Sequence, residues 1–224
     1  MQDHDSVPLS DFEELPPEQM LAEARAFLER MKTRHSIRQF SDKPVAREVI
    51  EAAILAAGRA PNGANHQPWF FSAIGSAEKK KTLREMAEKE ERAFYEGRAS
   101  DEWLDALSDL GTDADKPYLE TAPWIIAVFG QRKGGMDDDG ETQNYYVPES
   151  VGIAMGFLIA SLHHAGLAML THTPKPMSFL NDLCGRPKNE KPYLLLVVGY
   201  PAEDATVPTH ALKKKPLDRI ASFI

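Results

Sequence analysis

The sequence predicts an α+β fold in which helices cover a mainly antiparallel sheet. Helical and strand patterns are mixed along the 224 residues without the strict alternation that builds a parallel sheet. No G-x-G-x-x-G motif follows a strand pattern, which disfavours a Rossmann dinucleotide site. The apolar run Trp124–Phe129 is short enough for one buried strand.

Hydrophobic periodicity gives the order of the elements. Apolar residues at helical spacing predict helices at about residues 17–33, 47–57, 77–97, 102–107 and 148–165. Short apolar runs predict strands at about residues 69–74, 124–129, 167–172 and 193–199. Pro17 marks the start of the first helix and Gly58 the end of the second. The last helix is apolar nearly all round, and we expect it at the centre of the fold.

The composition excludes several classes of protein. The net charge is −8, which disfavours a nucleic-acid binder, because such proteins normally present a basic face. Cys184 has no second cysteine to pair with, and no Cys/His cluster has metal-ligand spacing, so we expect neither a disulfide nor a metal site. The N-terminus lacks a signal-peptide pattern, and no apolar run approaches the roughly 20 residues of a membrane span. We therefore expect a cytoplasmic protein without a membrane partner.

A short basic motif, Arg34-His35-Ser36-Ile37-Arg38, follows the first predicted helix. Each guanidinium presents a planar fork of donors, so the two arginines and the Ser36 hydroxyl could converge on a phosphate group. The alternative is a basic cap at the C-terminal end of the helix, where cations favour the helix dipole. The pattern alone favours the cap.

The loop Ala60–Trp69 is rich in turn-forming residues. Pro61 and Pro68 fix an irregular backbone, and Gly63 would let a ligand approach closely. A planar ring could lie against such a loop and accept main-chain hydrogen bonds. A plain connection between a helix and a strand is an equally good interpretation of the pattern.

Together the two motifs resemble the nitroreductase superfamily of FMN enzymes. The pattern R-x-S-x-R, followed about two dozen residues later by A-P-[SN]-x-x-N-x-Q-P-W, matches Arg34–Arg38 and Ala60–Trp69. The similarity covers nearly all of the chain beyond the first few tens of residues. The resemblance implies a nitroreductase-like fold and an intertwined homodimer with exchanged termini. It also implies that FMN binds at the subunit interface.

Further residues resemble the iodotyrosine deiodinase family within that superfamily. Glu91 and Tyr95 lie four apart on one helix face, and Lys116 follows in a charged segment. The pattern continues through residues 171–174, 205–208 and 215–218. The resemblance implies FMN-dependent removal of halogen from halotyrosines, with electrons from an external reductant that the sequence does not identify.

The chemistry of a free amino acid explains the trio of Glu91, Tyr95 and Lys116. Glu91 can pair with the ammonium, Lys116 with the carboxylate, and Tyr95 can add a hydroxyl hydrogen bond. Such contacts discriminate strongly in a closed, dry site. The alternative is a solvated helix face, because residues 88–92 form an ordinary charge run. The shared family register favours the site.

The resemblance also implies roles for other residues. The FMN phosphate and ring edge would be lined by Arg34, His35, Ser36, Ile37 and Arg38. Further flavin contacts would come from Asn62, Gly63, Thr171, His172, Thr173 and Lys214, the first two from the partner's side of the site. The Ala64 N–H would meet the substrate phenolate. The Thr173 hydroxyl would hydrogen-bond flavin N5 and favour one-electron steps, which makes Thr173 the candidate catalytic residue. Lys214 stands where an arginine is expected, and it offers a point charge instead of a fork.

We expect these parts in one domain, residues 1–224. It would comprise an extended N-terminal arm (about 1–16), an active-site lid (about 91–118) and a C-terminal arm (about 205–224) on the partner subunit. The lid should be mobile without substrate and ordered with it. Three other interpretations stay open: a general FMN-dependent NAD(P)H nitroreductase or quinone reductase, a non-catalytic flavin or amino-acid binder, and a flavin-consuming enzyme.

Overall fold

The computed structural model describes residues 5–224, so the first four residues of the predicted N-terminal arm lie outside the described residues. The chain forms two units, residues 1–34 and 35–224. In the first unit, residues 5–16 form no helix or strand, and helix α1 (Pro17–Lys32) begins at a proline, as N-terminal turns often do. No residue of α1 is buried, so apolar side chains such as Phe27 remain exposed.

A four-stranded sheet in the second unit confirms the predicted α+β class. Its strands are β1 (Trp69–Ile74), β2 (Trp124–Gln131), β3 (Ala168–His172) and β4 (Glu190–Gly199). Their order is β1-β2-β4-β3, and every neighbouring pair is antiparallel. The order makes β3 an edge strand of the sheet.

Two of the strands are longer than the sequence predicts. β4 begins at Glu190 rather than Tyr193, and β2 runs to Gln131 rather than Phe129. The two extensions pair with each other, and Gln131 Nε2 donates to Glu190 Oε1 at 3.0 Å. Arg186 forms an ion pair with the same carboxylate. Polar cross-strand contacts lengthen these strands at a point where apolar periodicity gives no signal.

Helices pack on both faces of the sheet. One face is covered by α2 (Arg47–Ala57) and α6 (Val147–His164). The other face is covered by α3 (Ala77–Ala93), α5 (Tyr118–Thr121) and α7 (Phe179–Cys184). Strand alternation supplies both cores: Ile126 packs into the first, whereas Ile125 and Ala127 pack into the second.

Helix α6 is central on one face only. Leu158 and Leu162 are fully buried against the sheet, as the sequence predicts. Ile153 and Phe157 are 41% and 43% exposed, so within a single chain the helix is buried on one face and open on the other. The apolar periodicity could not show this difference, because it does not distinguish a face that packs within one chain from a face that needs another surface.

Helix α3 ends earlier than the predicted residue 97. Ala93 is its last residue, and Phe94–Arg98 form a single π turn. A hydrogen bond of 2.9 Å from the Ala99 N–H to the Phe94 carbonyl closes this turn. Such turns interrupt helices most often at functional sites, and this one borders the cavity described below.

The remaining elements are short. Helix α4 (Asp101–Ser108) confirms the helix predicted at about residues 102–107, and Ser100 caps it by accepting a hydrogen bond from the Trp103 N–H at 3.3 Å. Helix α8 (Thr209–Leu212) and one 3-10 turn (Leu217–Arg219) lie near the C-terminus. Between residues 5 and 224, no helix has both the length and the apolar character that crossing a bilayer requires.

Candidate functional site

The segment 35–38 lies beside the edge strand β3. Ser36 forms a parallel bridge with Met169, and the next backbone N–H donates to the Met169 carbonyl at 3.2 Å. This pairing carries Arg38 along the strand, and Arg38 lines the same cavity as Thr171. Residues 36–38 and the 171–173 segment are therefore neighbours in the second unit.

A cavity of about 220 Å³ lies between the end of β3, α3, the π turn and α4. Its polar and charged lining residues are Arg38, Glu90, Glu91, Tyr95, Thr112, Lys116, Tyr118, Thr171, His172, Thr173 and Lys175. Its apolar lining residues are Phe94, Trp103, Leu107 and Leu170. The volume is below the roughly 300–1,000 Å³ typical of complete ligand pockets.

The predicted trio of Glu91, Tyr95 and Lys116 comes together in this cavity. Lys116 Nζ lies 3.4 Å from Glu91 Oε2 and 5.7 Å from the centre of the Tyr95 ring. The Lys116 and Glu91 side chains are only 3% and 13% exposed. Burial raises the pKa of the Glu91 carboxyl, although the charge and hydrogen bond of Lys116 act in the opposite direction. Two opposite charges therefore face each other in a largely dry site.

Helix α3 also fixes the backbone of Lys116. The Lys116 N–H donates to Glu88 Oε1 at 2.7 Å, and Arg84 Nε donates to the same oxygen at 2.6 Å. Burial alone would raise the pKa of Glu88, but the hydrogen bonds from Lys116 and Arg84 hold it below its ordinary value. The Lys116 ammonium donates to Thr112 Oγ1 at 3.1 Å and to the Asp113 carbonyl. The Lys116 ammonium is thus anchored on both sides.

Aromatic contacts connect Tyr95 with the lid. The Tyr95 ring meets Phe94 edge-on at 5.3 Å, and Phe94 meets Trp103 of α4 edge-on at 5.1 Å. The Tyr95 hydroxyl bonds with Thr112. Burial raises the pKa of Tyr95, so the hydroxyl stays protonated and able to donate.

Strand alternation separates the side chains of the 171–173 segment. Thr171 and Thr173 are exposed, whereas His172 is 7% exposed. The His172 ring meets Tyr118 edge-on at 5.9 Å, and its Nε2 lies 3.9 Å from Glu91 Oε1. This nitrogen is fully buried and has no hydrogen-bond partner among the described residues. The imidazole of His172 is therefore buried, whereas the hydroxyls of the two threonines remain accessible.

The electrostatic environment keeps His172 neutral. Burial, with a smaller contribution from the charge of Lys116, lowers the pKa of His172 from 6.5 to about 3. A neutral imidazole has one N–H donor and one acceptor nitrogen. The His172 ring therefore adds no charge beside the Glu91 carboxylate.

The Ala60–Trp69 loop does not line this cavity. Asn62 accepts a hydrogen bond from the Gln67 N–H at 2.7 Å and donates to the Ala60 carbonyl at 3.1 Å, so its side chain shapes the loop. A Cβ at Gly63 would lie 2.9 Å from the Tyr145 carbonyl oxygen, so the same chain approaches closely there. The predicted flavin contacts of Asn62 and Gly63 stay predictions.

The backbone of the same loop is strained. Ala64, Asn65 and Gln67 have φ angles of 52°, 56° and 49°, in the left-handed region that residues other than glycine rarely adopt. Strain of this kind clusters at functional sites, where the surrounding structure imposes it. The predicted contact of the Ala64 N–H with a substrate phenolate stays a prediction.

The flavin contacts predicted for Arg34, His35, Ser36, Ile37 and Lys214 stay predictions. Arg34 ends the first unit, and its N–H donates to the Met31 carbonyl at 3.2 Å. Lys214 is exposed, and its ammonium donates to the Ala211 carbonyl. The other residues of this group that do not line the cavity are His35, Ser36 and Ile37.

Comparisons with known proteins assign the chain to a family. The model of the Nitroreductase family matches residues 31–200. The iodotyrosine deiodinase of Haliscomenobacter hydrossis is 48% identical over 199 residues, which are 89% of this chain and 90% of that protein. The chain belongs to the nitroreductase family and, within it, to the iodotyrosine deiodinases. The predicted family is thereby confirmed.

Animal deiodinases and one solved structure agree with this membership. The iodotyrosine deiodinase of Nematostella vectensis is 41% identical over 96% of this chain and 81% of that protein. Iodotyrosine deiodinase 1 of Homo sapiens is 40% identical over 92% and 71%. A crystal structure of oxidized iodotyrosine deiodinase bound to FMN and 3-iodo-L-tyrosine matches with a TM-score of 0.73 and 27% identity, over 88% of this chain and 100% of that one. The nitroreductase-like fold is confirmed.

Several lining residues escaped the sequence analysis. Thr112 contacts the Lys116 ammonium, and Tyr118 lies against His172, yet neither stands in a recognisable motif. Trp103 and Leu107 carry a usable signal, because they lie four apart on α4 and face the same cavity. A lid helix with one apolar edge could therefore have been predicted as a cavity wall.

The buried imidazole makes stability depend on pH. The folded pKa of His172 is about 3 against 6.5 in an unfolded chain, so its contribution is fully present above pH 6.5 and is lost as pH falls toward 3. We expect His172→Gln to reduce the slope of unfolding free energy against pH by up to about 1.4 kcal/mol per pH unit below 6.5. Guanidinium titrations from pH 7.5 to 4.5 measure this slope.

The control for this measurement is His164→Gln, because His164 is exposed at the end of α6. Its curve should run parallel to that of the unchanged protein. Glu91 acts in the opposite direction, because its raised pKa makes the unfolding free energy fall as pH rises through that pKa. The unchanged protein and His172→Gln both carry Glu91, so this effect is common to the two curves. Parallel curves for His172→Gln and the unchanged protein would show that the imidazole is not buried in neutral form.

Proposed function

We propose that the chain is an FMN-dependent enzyme that reductively removes halogen from halotyrosines. The observation that carries the proposal is the buried pair of Glu91 and Lys116 beside the exposed hydroxyls of Thr171 and Thr173. The family membership supports it, since related chains are iodotyrosine deiodinases and a matching structure contains FMN and 3-iodo-L-tyrosine. In the reaction, two electrons and one proton replace the halide by hydrogen on the aromatic ring.

The exposed edge of β3 has the donor set that FMN requires. Arg38 offers a fork of N–H donors for a phosphate or a ring oxygen, and the hydroxyls of Thr171 and Thr173 can donate to ring heteroatoms. When bound, FMN supplies the electrons of the dehalogenation. The chain's own contribution is to orient the ring, and we place the Thr173 hydroxyl at flavin N5.

The substrate zwitterion fits the ion pair of the lid. Glu91 and Lys116 neutralise each other in the described structure, with Nζ and Oε2 3.4 Å apart. A bound amino acid would place its ammonium against Glu91 and its carboxylate against Lys116, so neither buried charge loses its partner. The Tyr95 hydroxyl, which stays protonated, would donate to the same carboxylate.

The replacement of the Glu91–Lys116 pair by contacts with the two charges of the substrate explains selectivity for whole amino acids. A ligand with only an ammonium, or only a carboxylate, would leave one of the two buried charges without a partner, which costs several kcal/mol. A phenol without either charge could enter only beside an intact Glu91–Lys116 pair. The halogenated ring would lie over the flavin, and its phenolate oxygen would accept a hydrogen bond from the Ala64 N–H.

The direct test is anaerobic. The protein is loaded with FMN, reduced, and mixed with 3-iodotyrosine. We expect flavin reoxidation with one equivalent each of iodide and tyrosine, measured by absorbance and ion chromatography. Flavin that reoxidises with nitroaromatic compounds or quinones but releases no iodide would favour a general nitroreductase or quinone reductase.

The carboxylate of Glu91 provides a sharper test. Glu91→Gln removes the charge that faces the substrate ammonium, and we expect kcat/KM for 3-iodotyrosine to fall roughly 10- to 150-fold, which corresponds to a loss of about 1.5–3 kcal/mol. The loss should be smaller for 2-iodophenol, which has no ammonium. Steady-state iodide release measures both.

The matched control is Glu85→Gln, because Glu85 is exposed on the same helix α3. Its kcat/KM should equal that of the unchanged protein. Equal losses for 3-iodotyrosine and 2-iodophenol in Glu91→Gln would remove Glu91 from ammonium recognition.

A homodimer would complete the site and cover the exposed face of α6. Gly152, Ile153, Gly156 and Phe157 form an apolar stripe at helical spacing, and the space beside both glycines is open. The exposed apolar C-terminus, where Phe223 is 86% exposed, is a second surface that needs a cover. A partner subunit would also bring its own Ala60–Trp69 loop to the small cavity.

We expect the protein to have twice the 25.0 kDa chain mass in sedimentation equilibrium. Phe157→Glu should shift it toward the mass of one chain, because the new carboxylate would be buried without a partner. Met86→Glu is the control, since Met86 is 37% exposed on α3, a helix that packs on the opposite face of the sheet. A single-chain mass for the unchanged protein, or a Phe157→Glu protein of unaltered mass, would contradict the dimer.

A further inference from the structure

We propose that His172 is a positioning residue that holds the Glu91 carboxylate toward the substrate ammonium; the proposal rests on the proposed function of the same site. Its first support is geometric. The two Glu91 oxygens face different partners, Oε2 toward Lys116 Nζ at 3.4 Å and Oε1 toward His172 Nε2 at 3.9 Å. Glu91 therefore lies between a cation and an imidazole.

The second support is a buried imidazole nitrogen that lacks a hydrogen-bond partner. His172 Nε2 is fully buried, and none of the described residues satisfies it. Buried polar atoms without a partner are rare and costly, and those that persist often serve a function. A shift of about 1 Å by the Glu91 side chain would bring Oε1 within the normal hydrogen-bond range of about 2.7–3.2 Å.

The ring is held rigidly enough to act in this way. The His172 backbone pairs with Leu195 in the sheet, and its ring rests edge-on against Tyr118 at 5.9 Å. Its low pKa, caused first by burial, keeps the ring uncharged, so it adds a donor without adding a second cation beside Lys116. An uncharged donor can hydrogen-bond to the Glu91 carboxylate without placing a positive charge that competes with the substrate ammonium.

The role follows from the exchange of partners on substrate binding. Once Lys116 turns to the substrate carboxylate, Glu91 loses part of the attraction that orients it. The N–H on His172 Nε2 would then donate to Oε1, and leave Oε2 directed at the ammonium. The hydrogen bond from His172 to Glu91 improves binding only for substrates that carry an ammonium group. His172 should therefore affect discrimination between ligands with and without that group.

The experiment compares His172→Gln with His172→Met in protein loaded with FMN. The two side chains have similar length, but only glutamine has an N–H donor. Kd values for 3-iodotyrosine and for 2-iodophenol, which lacks both charged groups, are measured by flavin fluorescence. We expect the ratio of the two affinities to fall roughly tenfold in His172→Met and to recover in large part in His172→Gln.

Each outcome decides between the roles. An unchanged ratio in His172→Met, or the same ratio in both variants, would overturn the proposal. Failure of both variants to retain FMN would assign His172 to the flavin site and also overturn it. If the unchanged protein prefers 3-iodotyrosine but its reduced form releases no iodide, the proposed function fails, while the affinity ratio still tests His172.

Discussion

The site depends on one buried ion pair. Glu91 comes from helix α3 and Lys116 from the lid, and each is the nearest compensating charge of the other in a space with little water. Removing one partner of such a pair costs about 3–5 kcal/mol, because the other charge stays buried alone. A ligand that displaces the internal pair would have to bring both charges if neither residue is to stay buried without a partner. We propose that recognition of an amino acid follows from this constraint.

The surrounding structure holds that pair in the cavity that Arg38 and Thr173 also line. The Glu88 carboxylate holds the Lys116 backbone from α3, and the π turn after Ala93 redirects the chain so that Tyr95 meets the lid. Few apolar anchors connect α4 to the rest of the fold, and none of its residues is buried. Helix α4 and the segment up to Lys116 therefore depend largely on polar and aromatic contacts around the cavity.

The sequence could predict the fold well because its elements carry strong periodicity. The strand 69–74 and the helix 47–57 match the structure at both ends. Errors arise where polar pairing or backbone geometry decides, as in the extension of β4 to Glu190 and the π turn that ends α3 early. The trio of Glu91, Tyr95 and Lys116 was predictable through the family register, whereas the contact of His172 with Glu91 was not, since it depends on a distance across the fold.

The edge position of β3 bears on the solubility of the protein. An uncovered edge strand offers its backbone to other chains, and here the segment with Ser36 and Arg38 shields part of it through its bridge to Met169. The segment that is predicted to contact the FMN phosphate thus also covers backbone at the edge of the sheet. Substitutions that break this bridge would uncover the backbone of β3 and favour association between chains, so the segment 36–38 bears on solubility as well as on the cavity.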